Sequence, residues 1–168
     1  MNLRIQEDKM SLRQEVFMTE FTMKRVISAS LEKVFPYFIT PTKLERWSAP
    51  DGMTLKVPFY EAKDGGKYRY EHSSTKGLYI CEGHIEKIVP NERLSIVDDI
   101  IQSSDGLKLT NLSADISFRR SGLGTEVTIF QSGFPDQKMT EECQSGWSQC
   151  LAKLEKLAGE TRLAGREL

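Results

Sequence analysis

Between Met53 and Gly133 the sequence switches repeatedly between strand-forming stretches and short clusters of turn residues, and no other feature restricts the fold as much. The stretches read MTLKVPFYEA, GKYRYEHSS, LYICEGHIEKIV, ERLSIVDDII, LTNLSADISFRR and TEVTIFQSG, separated by KDGG, SSTKG, VPNE, SSDG and RSGLG. Val, Ile, Thr and aromatic side chains suit a pleated surface, whereas Gly, Asn, Asp and Ser tolerate positive φ or initiate turns. Consecutive strands at this spacing predict an antiparallel meander.

The flanks predict helices. EFTMKRVI reads as one more strand and stops at SAS, where Ser30 is placed to cap a helix. LEKVFPYFIT follows as a short amphipathic helix with Val34, Phe35 and Phe38 on one face, bent or shortened by Pro36. Thr40 and Pro41 form an N-cap and first helical position for PTKLERWSA, which presents Leu44 and Trp47. A long last helix is expected from about Asp136 to Gly159: it lacks Val, Ile and internal Pro, and carries Glu141 and Glu142 near its start and Lys153 and Lys156 near its end. The fold class is α+β. No linker or repeat divides it, so a single domain is expected at 19–160, with 1–18 a tail or short helix and 161–168 a tail.

At 168 residues one domain can bury enough apolar surface to be stable without disulfides or metal. A formal net charge of −1 gives no bulk attraction to nucleic acid or anionic lipid, so neither is expected as a partner. No apolar run approaches the roughly 20 residues that cross a bilayer, and the N-terminus lacks the apolar region of a secretory signal. The expected compartment is the cytoplasm, where Cys81, Cys143 and Cys150 stay reduced.

On the last helix Cys143, Trp147, Cys150, Leu154 and Leu157 recur at intervals of four, three, four and three, a single apolar stripe. Residues seven apart are separated by roughly 10.5 Å along a helix axis, too far for a disulfide. Their spacing also fits no zinc motif, so no metal or cofactor is expected and the thiols read as small apolar groups. Gly146, beside Trp147, leaves room for the close approach of a sheet or ligand.

Alternation in KYRYEH puts Tyr68, Tyr70 and His72 on one face and Lys67, Arg69 and Glu71 on the other. If the first set faces the helix, it offers polar tips on aromatic bodies, which suits an amphipathic small molecule; the competing reading is a locally bonded core or rim. His72 and His84 are the general-base candidates near neutral pH, yet no nucleophile or orienting carboxylate is identified for either. The facing of His84 depends on whether Gly83 marks a bulge. Gln131 shares a face with Val127 and Ile129, and its amide could orient a polar group. Trp47 and Trp147 supply large apolar area, as core for the first and pocket lining for the second. Asp98 and Asp99 fall on opposite faces, so they form no acid–base pair, and DDIIQSSDG reads as a solvated edge and hairpin. FRRSG is a charged turn without the spacing of a phosphate loop.

With these elements placed, the chain resembles the START-like (SRPBCC, Bet v-type) superfamily, in the branch related to the activator of heat-shock protein 90 ATPase. The resemblance rests on RVISASLEKVFPYFITPTKLERWSAP, DGGKYRYE, GHIEKIVPNERL, GLGTEVTIFQSGFP and GWSQCLAKLEKL, in the family's order from about Phe21 to Ala158. It implies a helix-grip fold, with a curved antiparallel sheet around the terminal helix, two short helices closing one end and an elongated pocket between. Gln131 stands where many relatives have a histidine, and Asp98 where an aromatic is common. The leading expectation is binding of a hydrophobic or amphipathic small molecule by Trp47, Tyr68, Tyr70, His72, Gln131, Cys143, Trp147 and Cys150, in a monomer or homodimer. Two alternatives stand beside it. One is a chaperone-interacting, ATPase activator-like module, although in relatives that activity belongs partly to an additional N-terminal domain for which 168 residues leave no room. The other is a cyclase- or aromatase-like enzyme with the tyrosines or His72 moving protons; no catalytic residue is assigned.

Overall fold

The computed structural model describes residues 19–164, so the tail or short helix expected at 1–18 and the last residues of the tail expected at 161–168 lie outside the described residues. Strand β1 (Glu20–Ile27) leads into α1 (Leu31–Val34), which tightens into a 3-10 turn (Phe35–Phe38), and then α2 (Pro41–Trp47). Strands β2 (Thr54–Tyr60), β3 (Lys67–Ser74), β4 (Gly77–Val89), β5 (Arg93–Ser103), β6 (Lys108–Ser121) and β7 (Gly124–Ser132) follow, and α3 (Gln137–Ala164) ends the described chain. All seven strands form one antiparallel sheet in the order β1-β7-β6-β5-β4-β3-β2. The expected meander is therefore present, and β1 joins it by pairing with β7 along its full length.

Local chemistry explains most boundaries. Pro36 has no N–H to continue the α-helical ladder, and α1 ends at Val34 with the tighter turn taking over, which is the expected shortening. Ser30 and Thr40 occupy the N-cap positions in extended conformation, but neither side chain makes the capping hydrogen bond the sequence suggested. At α3, by contrast, the Met139 amide donates to Asp136 Oδ1 at 2.8 Å. Gly159 does not stop this helix: α3 runs on to Ala164 through ETRLA, whose residues hold helix well enough to carry it past one glycine. Gly146 faces Pro50, at ordinary van der Waals range for an added Cβ, rather than the sheet.

The core lies between the concave sheet face and α3. Ile27, Ile85, Leu94, Ile116, Val127 and Ile129 from the sheet meet Leu151 and Leu154 of the helix, all but sealed from solvent. The short helices close one end through aromatic edges: Phe35 and Phe38 contact Phe118 at 5.1 and 4.9 Å between centroids, and Phe38 contacts Trp47 at 4.7 Å. Arg25 of β1 pairs with Glu155 of α3 at 2.9 Å and ties the helix to the sheet edge. All three cysteines are free thiols. Among the described residues no helix is long and apolar enough to cross a membrane.

Candidate ligand site

The concave face changes character toward β2, β3 and β4, where polar groups replace aliphatic ones. Tyr68, Tyr70 and His72 stand there together, as alternation along β3 requires. Tyr60 of β2 lies opposite Tyr68 in register, and the rings of Tyr60, Tyr68 and Tyr70 pack nearly parallel with centroids 4.8 to 6.5 Å apart. The His72 ring edge completes the row at 6.4 Å from Tyr70.

Register then brings in Asp98, which lies outside the predicted set of site residues. Tyr68 pairs with Gly83 of β4, and Gly83 pairs on its other side with Asp98 of β5. With no side chain at Gly83, the Tyr68 phenol lies across β4 and donates to Asp98 Oδ1 at 2.5 Å. The Cys81 thiol, the next inward group along β4, donates to the same oxygen at 3.1 Å. A Cβ at Gly83 would collide with the Tyr68 ring and the Val97 carbonyl, so the bridge depends on glycine.

A bulge fixes which aspartate points inward. The β4–β5 register slips by one between Glu82 and Gly83, with Asp99 the extra residue on β5. On β6 Asn111 adopts φ 58°, a left-handed conformation that asparagine tolerates, at the facing position. Asp98 therefore joins Leu94 and Ile96 on the concave side, while Asp99 sits on the convex side within 2.9 Å of His84 Nδ1. The two aspartates occupy opposite faces as expected, and Gly83 does mark a bulge. The solvated reading of the run holds for Asp99 and fails for Asp98, whose half-buried carboxyl is held by Tyr68 and Cys81.

Burial dominates the electrostatics. Asp98 is shifted upward because its charge is desolvated, against the opposing pull of the Tyr68 and Cys81 hydrogen bonds and of His72. Burial likewise pushes Tyr60, Tyr68, Tyr70 and Cys81 above their ordinary ranges. His72 is lowered by burial and thus held toward the neutral form. Its Nε2 lies 2.9 Å from the Ser48 carbonyl, an acceptor only, so Nε2 carries the proton and Nδ1 is left as the acceptor of the neutral ring. The Tyr60 hydroxyl is buried with no hydrogen-bond partner among the described residues.

A second polar group faces this one from α3 and β7. Gln131, 4 % exposed, accepts at Oε1 from Trp147 Nε1 at 2.7 Å and from the Cys143 thiol at 3.3 Å. Burial pushes Cys143 up to about 12, with Asp98 a further cause, so the carboxylate acts on this thiol across the interior. Tyr70, His72, Asp98, Cys143 and Trp147 are all half-buried.

Of the residues singled out by sequence, Tyr68, Tyr70, His72, Gln131, Cys143 and Trp147 thus belong to these two polar groups. Trp47 is a core residue, 1 % exposed, with Nε1 donating to the Tyr37 carbonyl at 2.9 Å and its ring 6.4 Å from Trp147. Cys150 is buried in the same core, and burial pushes its thiol up to about 12. His84 is on the convex face. Asp98, Cys81 and Tyr60 are not among the predicted site residues, and Gly83 is marked by sequence only as a bulge; the parity of Asp98 with Leu94 and Ile96 is the available signal.

Residues 28–159 match the model of the family described as "Activator of Hsp90 ATPase homolog 1-like protein". The chain belongs to this family. Solved structures agree with its helix-grip architecture. A Chromobacterium violaceum protein is 29 % identical with a TM-score of 0.74, the match covering 83 % of this chain and 96 % of that one. A Mesorhizobium loti protein is 23 % identical at TM-score 0.65, with coverages of 84 % and 98 %. A Silicibacter pomeroyi protein bearing the family's name is 17 % identical at TM-score 0.71, with coverages of 86 % and 99 %. No curated protein matches. The Hsp90-activator-homologue region of this chain includes every residue of both polar groups.

Proposed function

We propose that this family member binds a hydrophobic or amphipathic small molecule between the curved sheet and α3, in the cytoplasm. The observation that carries this reading is the pair of facing polar groups, Tyr68–Asp98–Cys81 with His72 and Gln131–Trp147–Cys143, set into an otherwise apolar interior. Polar tips on aromatic bodies would orient the head of such a molecule, while the aliphatic core would receive its body. Trp47 packs beside Trp147, and Cys150 lies on the buried face of α3. In this reading Gln131 serves a ligand indirectly, by holding Trp147 and Cys143 in place.

Native mass spectrometry of the purified chain, compared with its denatured mass, tests this. A retained species of a few hundred daltons is expected. A bare chain mass, together with no binding of any apolar or amphipathic compound in titration, would overturn the reading and leave a protein-directed role as the alternative.

A further inference from the structure

Among the described residues Asp98 is the one carboxylate that the concave face carries into its tyrosine-lined part, and they supply it with donors but no Lys or Arg partner. Tyr68 and Cys81 converge on Oδ1. Among the described residues no Lys or Arg forms an ion pair with Asp98; Arg69 of β3 pairs with Glu71 and Glu82, Lys87 of β4 with Asp64, and Arg93 of β5 with Asp115. His72, the one nearby group able to become cationic, is held toward neutrality by its burial. A half-buried, desolvated carboxylate held by neutral donors alone is costly to ionise, and the cost falls when a cation is brought to it. The surroundings favour a cation of a particular kind. Tyr68 bonds the carboxylate, and on its ring stacks Tyr70, which is half-buried and electrostatically coupled to Asp98; an aromatic face attracts ammonium groups.

Resting on the small-molecule reading above, we propose that the ligand is a cationic amphiphile, an apolar body bearing a basic amine whose ammonium group pairs with Asp98 beside the tyrosine rings. A fatty acid would bring a like charge to the same carboxylate, and a neutral alcohol would leave it unpaired. The chain's interior is thus selective by charge as well as by shape.

Isothermal titration with decylammonium, decanol and decanoate, each below its micelle concentration, tests the inference on the full chain. Decylammonium is expected to bind at least about tenfold more tightly than decanol, with decanoate weakest, the tenfold corresponding to one modest ion pair. Asp98→Asn should bring the amine-to-alcohol ratio to within about twofold, while Asp99→Asn, on the opposite face, should leave it intact. Equal binding of amine and alcohol by the wild-type chain, or an amine preference that survives Asp98→Asn, would overturn the proposal while sparing the small-molecule reading. Failure of all three compounds to bind would overturn both. The wild-type ratio decides the matter even if the asparagine variant does not fold.

Discussion

Asp98 and Asp99 are neighbours in sequence with the same side chain, and they occupy opposite electrostatic environments. On the concave face Asp98 accepts hydrogen bonds from a sealed phenol and a buried thiol, and its charge is felt at Cys143 on the helix. On the convex face Asp99 meets His84 with about half of its side chain in solvent. The same contrast divides the two histidines: His72 is locked to a backbone carbonyl inside, and His84 pairs outside. Residue chemistry alone therefore does not make a site; a one-residue bulge and a glycine on the next strand decide which aspartate is enclosed.

The contrast breaks most severely at Gly83. Gly83→Ala forces a methyl group into the Tyr68 ring and should lower stability by about 3 kcal/mol, combining overpacking with the loss of a buried hydrogen bond. Urea denaturation measures it, and a loss below about 1 kcal/mol would mean that the phenol does not need this passage. His72 sharpens the contrast through pH. Its folded-state pKa lies below the unfolded value, so the unfolded chain binds more protons in that interval. The stability it contributes is complete above about 6.5 and is lost as pH falls through the unfolded and then the folded pKa. His72→Gln should flatten the wild-type slope of stability with pH over that window; an unchanged slope would place the ring in water. The smallest effect belongs to the outer pair, where Asp99→Asn should change stability by less than about 0.5 kcal/mol, as exposed ion pairs do.

Much of the fold is readable in advance because its signals are local. Alternation, turn residues and the i, i+3, i+4 stripe on α3 each occupy a few consecutive positions, and the sheet follows from them. Tyr68, Tyr70 and His72 were legible for the same reason, since alternation alone puts them on one face. Asp98 was not, because its role depends on Tyr68 and Gly83, which register brings beside it from distant positions. Gln131 was legible as an inward amide, but its partners on α3 required the crossing of helix over sheet. The end of α3 was misjudged because one glycine is too weak a signal to stop a helix with good formers beyond it.

The two tryptophans have a further use. Trp47 is sealed and bonded to the Tyr37 carbonyl, whereas Trp147, 6.4 Å away, is half-buried and bonded to Gln131 at the edge of the second polar group. Trp147 is thus the sensor, and Trp47 lies close enough to exchange excitation energy with it. Any molecule that enters between sheet and helix has to alter the polarity around Trp147 or displace its hydrogen bond, and so shift the colour and lifetime of the protein's own emission. A small molecule bound as proposed would report itself through the protein's own emission, without any added label.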